Sequence, residues 1–196
     1  VTGVQTCALP ISLDANDQRT TVQAFPAGTP GGVRVAAGMH APEGQQFVVV
    51  ANGPGTPAQV RVINLVTGGA VASFTPFAGW TGGLNIATAD VNKDGYSDFV
   101  VARDGGSASV VNVYSGKTLG LIKSFTAFPA PFTGGVRVAC ADVNGDGLAD
   151  VIAASGAGMR GTVRVFSSST KPALLFKLSS TTFVGPATFT GGLFIA

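Results

Sequence analysis

The sequence predicts an all-β fold built from repeated blades of four antiparallel strands. Three observations carry that prediction. The composition favours strands and tight turns over helices, with 28 Gly, 11 Pro and 13 Phe among 196 residues and many Val and Thr. A Gly-Gly pair recurs at 31–32, 82–83, 134–135 and 191–192, at intervals of 51, 52 and 57 residues. Similar apolar runs come after the pairs: VRVAAG, LNIATA, VRVACA and LFIA. Self-similarity at such a period marks a stacked repeat architecture.

Taken in chain order, the opening stretch VTGVQTCALPIS resembles a translated sequencing-library adapter. Residues 1–12 are therefore set aside from fold reasoning, and native sequence is expected from about Leu13. The rest, 13–196, is expected to be a partial β-propeller, with blades at about 31–81, 82–133 and 134–190 and the start of another at 191–196. Trp80, Phe132 and Phe189 each stand two residues before a Gly-Gly pair, a place taken by Thr29 in the first copy. Phe74 and Phe77 are matched 51 residues on by Phe125 and Phe128. Aromatics that recur at one place in every copy are expected to pack between blades.

The middle copy shows the four strands most clearly, as GGLNIATA, DFVVAR, ASVVNVYS and LGLIKSFTAF. Alternation in VVNVY, as in VRVI at 60–63 and VRVF at 163–166, puts Val on one face and Arg or Asn on the other. The third and fourth runs join through SGKTLG, a hairpin-type turn. Four such strands per roughly 40–50 residues make a propeller blade. A single blade cannot bury both faces, so neighbours must stack on it. Three blades and a fragment do not close a ring of about four to eight. An open arc with exposed edges is expected. The final FTGGLFIA matches FTGGVRVA at 132–139, the beginning of a copy, which points to a piece of a longer protein.

Charged residues make up 11% of the chain, and the net charge is +2 without a Lys/Arg cluster. This argues against nucleic acid as a partner. No apolar run approaches the roughly 18 residues needed to cross a membrane, so no membrane insertion is expected in this segment. Cys7 lies in the segment set aside, which leaves Cys140 in an apolar strand as a small buried residue, with no disulfide framework. His40, the one histidine, has no Ser or Cys nucleophile pattern beside it and reads as a surface loop residue. No catalytic residue is expected.

The chemistry is concentrated in two loops, DVNKDGYSD at 90–98 and DVNGDGLAD at 142–150, which together hold six of the ten acidic residues. Asp90, Asn92, Asp94 and Asp98 stand at loop positions 1, 3, 5 and 9, and Asp142, Asn144, Asp146 and Asp150 repeat them. Position 7, Tyr96 or Leu148, can offer only its backbone carbonyl. Three carboxylates so close repel one another unless a cation offsets the charge. Ca²⁺ takes about six to eight oxygen ligands and suits this donor set better than Mg²⁺, which demands octahedral geometry, or Zn²⁺, which prefers Cys and His. Solvated Asx turns are the simpler alternative. An EF-hand is excluded, because position 12 is Val101 or Ala153 rather than Glu, and the runs DFVVA and DVIAA that close the loops read as strand rather than helix. Two calcium sites are expected, each between two strands. The first copy reads GMHAPEGQQF, with Met39, Ala41 and Glu43 at positions 1, 3 and 5 and Gln46 in place of the last Asp. No calcium is expected there.

On these loops and the Gly-Gly strands, residues from about 25 to 196 resemble the FG-GAP/VCBS repeats, the calcium-loop propeller repeats also found in integrin α-subunit heads, and above all their bacterial secreted forms. The resemblance implies Ca²⁺ held by the side chains at positions 1, 3, 5 and 9 and the carbonyl at position 7. It also implies an extracellular or cell-surface setting. The expected function is that of a calcium-stabilised, non-catalytic repeat region serving adhesion or binding of a protein or carbohydrate ligand. The alternative is the propeller portion of a secreted carbohydrate-active enzyme.

Overall fold

The computed structural model describes residues 8–12, 19–40, 45–168 and 177–195. Every element in it is a strand: β1 (Ala8–Ser12), β2 (Arg19–Gln23), β3 (Val33–His40), β4 (Gln45–Asn52), β5 (Val60–Asn64), β6 (Ala70–Phe74), β7 (Leu84–Ala89), β8 (Asp98–Arg103), β9 (Val110–Tyr114), β10 (Leu121–Thr126), β11 (Val136–Ala141), β12 (Asp150–Ser155), β13 (Thr162–Ser167) and β14 (Lys177–Phe183). They form a β1–β2 ladder and three four-stranded antiparallel meanders, β3–β6, β7–β10 and β11–β14. The chain is thus all-β, with three sheets stacked as propeller-like blades. Part of the segment set aside, Ala8–Ser12, pairs with Arg19–Gln23; a backbone ladder carries no information about where that segment came from.

Period-two alternation does the stacking. In β8, Phe99 and Val101 belong to a core shared with the first blade, together with Phe47, Val49, Ala51, Phe77, Leu84 and Ile86. Their neighbours Val100 and Ala102 face the other way, into a core shared with Val136, Val138, Val151, Ala153 and Phe166 of the third blade. Residues of β4 alternate likewise, Val48 and Val50 packing against Val22, Ala24 and Phe25. A strand buried on both faces must be apolar at every position, which is why β8 reads DFVVAR with only its ends charged. The first strands pack side by side, β3 against β7 and β7 against β11. The fourth strands β6 and β10 lie outermost and half exposed.

The Gly-Gly pairs sit where successive blades meet. Gly83, Gly135 and Gly192 share a φ of +87°. A Cβ on them would lie 2.9 Å from Pro54 N, 2.6 Å from Gly105 N and 2.8 Å from Ala157 N, all in the preceding blade. Only glycine supplies both the positive φ and the room for that approach. Beside them Gly55, Gly106 and Gly158 donate to the carbonyls of Thr81, Thr133 and Thr190 at 2.9, 2.8 and 3.0 Å. The third contact seats residues 189–193 on the third blade as the other copies are seated on theirs.

Candidate metal loops at the blade seams

Each Asp loop joins the first two strands of a blade, β7 to β8 and β11 to β12, at the end opposite the Gly-Gly pairs. The first loop is closed by its own side chains. Asp90 accepts the N–H groups of Asp94 and Gly95 at 3.2 and 2.8 Å, Asn92 Oδ1 accepts that of Asp94 at 2.9 Å, and Asp94 accepts that of Tyr96 at 2.9 Å. Asn92 Nδ2 donates to Asp94 Oδ2 at 3.2 Å. The second loop repeats this: Asp142 accepts from Gly145 and Gly147 at 2.7 and 2.8 Å, Asn144 from Asp146 at 2.9 Å, and Asp146 from Leu148 at 2.9 Å. Asn144 Nδ2 donates to Asp146 Oδ2 at 3.0 Å. Short side chains at alternate positions capture the backbone two residues on, the ordinary reason for Asp and Asn in tight coils. The Asx turns are therefore real. They compete with a metal only in part, since a carboxylate oxygen that accepts one N–H keeps a second lone pair.

The last position differs. Asp98 and Asp150 are fully buried, at 0% exposure. Asp98 accepts from Val91 N at 3.1 Å on one oxygen and from Gly116 N at 3.0 Å on the other. Asp150 accepts likewise from Val143 N at 3.1 Å and Ser168 N at 3.2 Å. Each ties its own loop to the turn beyond the third strand. Burial pushes the Asp98 carboxyl up to about 6, the charges of Asp94 and Asp90 add to the rise, and only the two backbone N–H groups oppose it. Asp142, in contrast, is exposed and held below the usual carboxylate range, first by the Gly147 N–H.

The loops of successive blades touch. Ala149 N, at position 8 of the second loop, donates to the carbonyl of Asp90, position 1 of the first, at 3.4 Å. One blade earlier Ser97 N makes the same bond to Met39 at 3.1 Å, and Ser97 Oγ accepts the Met39 N–H at 3.1 Å. The degenerate first copy thus keeps the seam contact while having Met39 and Gln46 where the other copies have their first and last Asp. Its Ala41 and Glu43, and the side chain of His40, lie outside the described residues.

The donor set suits a hard cation, since it consists of oxygen alone: Asp90, Asn92, Asp94, the Tyr96 carbonyl and Asp98, and their counterparts Asp142, Asn144, Asp146, the Leu148 carbonyl and Asp150. Among the described residues no three His, Cys, Asp or Glu side chains are gathered as a ready-made metal cluster; the carboxylates turn to backbone N–H groups instead.

The structure also shows contacts that sequence reading does not reach. The Arg and Asn at the alternate positions of the third strands bond to the backbone of the neighbouring copy or segment. Arg61 donates to the Ala24 carbonyl, Asn112 to that of Pro76 at 3.0 Å and Arg164 to that of Ala127 at 3.0 Å. Each reaches back to the preceding copy or segment. Trp80 is half-buried against the first inter-blade core and donates its Nε1–H to Gly83 O at 2.7 Å. It packs between blades as its recurrence implies. Cys140 is partly buried against the second core, and burial pushes its thiol up to about 12. It is no nucleophile.

Fold and loops together define a repeat protein of propeller-like blades with an acidic loop between the first two strands of two of them. Residues 90–153 match the family model of the FG-GAP-like repeat. That segment runs from the first residue of one loop through the whole of the other, and the chain therefore contains an FG-GAP-like repeat. Among solved structures, Bacillus licheniformis rhamnogalacturonan lyase PL11 is similar, with a TM-score of 0.54 and 12% identity over 87% of this chain. The chain covers 40% of the lyase's length. At that identity the likeness speaks for the fold.

Proposed function

We propose that this chain is a calcium-binding, non-catalytic repeat region of a larger secreted or cell-surface protein, serving adhesion or the binding of a protein or carbohydrate. The observation that carries the reading is Asp98. It is a buried carboxylate raised to about 6, with Asp94 and Asp90 adding negative charge. A divalent cation offsets the repulsion and favours the ionised form of Asp98. Extracellular calcium modules bind at about 10⁻⁴–10⁻³ M, which suits loops already held by their own hydrogen bonds. Bound calcium would supply fixed positive charge and nothing else. The chain's own residues set the loop shape, and the Ala149-to-Asp90 bond passes that order to the neighbouring blade. Among the described residues no helix is long and apolar enough to cross a membrane.

Calorimetric titration with Ca²⁺ tests the reading. Two sites are expected in the wild type, with one lost in Asp94→Ala, the other in Asp146→Ala, and none left in the double variant. An absence of binding heat in folded protein would reduce both loops to polar turns.

A second reading, the propeller portion of a carbohydrate-active enzyme, is favoured by the solved neighbour, which is a rhamnogalacturonan lyase. Degradation of rhamnogalacturonan by this chain would establish it. An inactive chain beside an active parent protein would place the chemistry elsewhere in the parent.

A further inference from the structure

The two Asp loops differ at one position that bears on a cation. Position 4 is Lys93 in the first loop and Gly145 in the second, and both have a left-handed backbone, with φ of 62° and 76°. That conformation suits glycine and costs a lysine. Lys93 is one of two non-glycine residues with positive φ among those described. Its side chain crosses the seam: a Cβ built on Gly147, position 6 of the second loop, would lie 3.0 Å from Lys93 Nζ. The same seam carries the bond from Ala149 N to Asp90 O. One loop therefore holds an ammonium against the backbone of the next.

We propose that Lys93 is a cross-blade counter-cation that weakens the second loop's hold on a divalent ion, so that the two loops fill at different concentrations. The inference rests on the calcium reading above. The ammonium lies against Gly147, whose N–H the Asp142 carboxylate accepts at 2.8 Å, and so puts positive charge at the second loop. It then repels a divalent cation entering beside Gly147. Gly145 carries no such charge, so the second loop sends nothing comparable forward.

The test is calcium calorimetry of the full chain carrying Asp94→Ala, which leaves the second loop as the site under measurement, with and without Lys93→Met. The methionine keeps the length and the backbone demand of lysine and removes the charge. At low salt, loss of Lys93 is expected to tighten the second loop by about three- to tenfold. The gain should shrink at about 0.5 M salt, as screening requires. Lys93→Gly, which has the residue type the second loop uses at this place, should tighten it equally and keeps the test open if the methionine variant folds poorly. Calcium binding with an unchanged second-loop Kd in both variants would overturn the proposal and leave the calcium reading intact. No calcium binding in the Asp94→Ala chain or the wild type would overturn both.

Discussion

Asp98 and Asp150 serve the fold directly, whatever else they hold. Each is a buried carboxylate that satisfies two backbone N–H groups. Asp150→Ala strands both donors and should destabilise by about 2–3 kcal/mol. Asp146→Ala, at an exposed position, should cost less, about 1 kcal/mol, when measured without calcium in urea. Equal losses would contradict the structural role of position 9. Asp98 also sets a pH dependence. Its folded value of about 6 lies above its ordinary 3.8, so the fold disfavours the ionised form. The stability it contributes is full below its ordinary value of 3.8 and is lost as pH rises through about 6. Metal-free protein should therefore gain stability on going from about pH 7 to about pH 5, by about 1 kcal/mol once screening is allowed for, the rest of the gain lying below about pH 5. The lowered value of Asp142 acts only below its ordinary value of 3.8 and does not oppose this. With calcium the trend should reverse, because the metal needs the carboxylate ionised. Urea melts at both pH values, in EGTA and in Ca²⁺, decide it.

At the scale of elements, the strands and loops were legible because their signals are local. DFVVAR and VVNVY carry their own periodicity, and D-x-N-x-D-G carries its own turn chemistry. What could not be read was where the polar residues of the third strands point. Arg61, Asn112 and Arg164 find carbonyls 36 or 37 residues earlier in the chain, and alternation says nothing of a partner on the neighbouring blade. Nor did the sequence separate Asx turns from metal ligands, since one set of side chains suits both roles. The Gly-Gly pairs were legible as markers, yet their cause is the seam. Gly135→Ala should be strongly destabilising, by about 3 kcal/mol or more, because its Cβ would meet Gly105 N at 2.6 Å at a φ of +87°. Gly145→Ala, at a φ of +76° with nothing within 4 Å, should cost only about 1 kcal/mol. Similar midpoints for the two variants in denaturant would remove the close-approach explanation.

Across the whole molecule, one carboxylate clasps three blades. Asp104, after β8 of the middle blade, meets Arg137 of the third at 2.9 Å and Arg34 of the first at 3.6 Å. The Arg137 contact is the better buried and the more hydrogen-bond-like of the two, so it should dominate. Asp104→Ala and Arg137→Ala should each cost about 1–2 kcal/mol, and the double variant little more than either. Strict additivity would mean that the clasp contributes nothing. On the proposed reading, calcium would act at the opposite end of the same seams. The central claim is that the Asp loops hold calcium and that the held ion stabilises the blades. Thermal melts of the wild-type chain in Ca²⁺ and in EGTA test that claim most directly. At about 100-fold over Kd each site should add roughly 2.7 kcal/mol, and two sites should raise the midpoint by about 10–20 °C in a chain of this size. Coincident melts in Ca²⁺ and EGTA would contradict the claim and leave the loops as hydrogen-bonded turns.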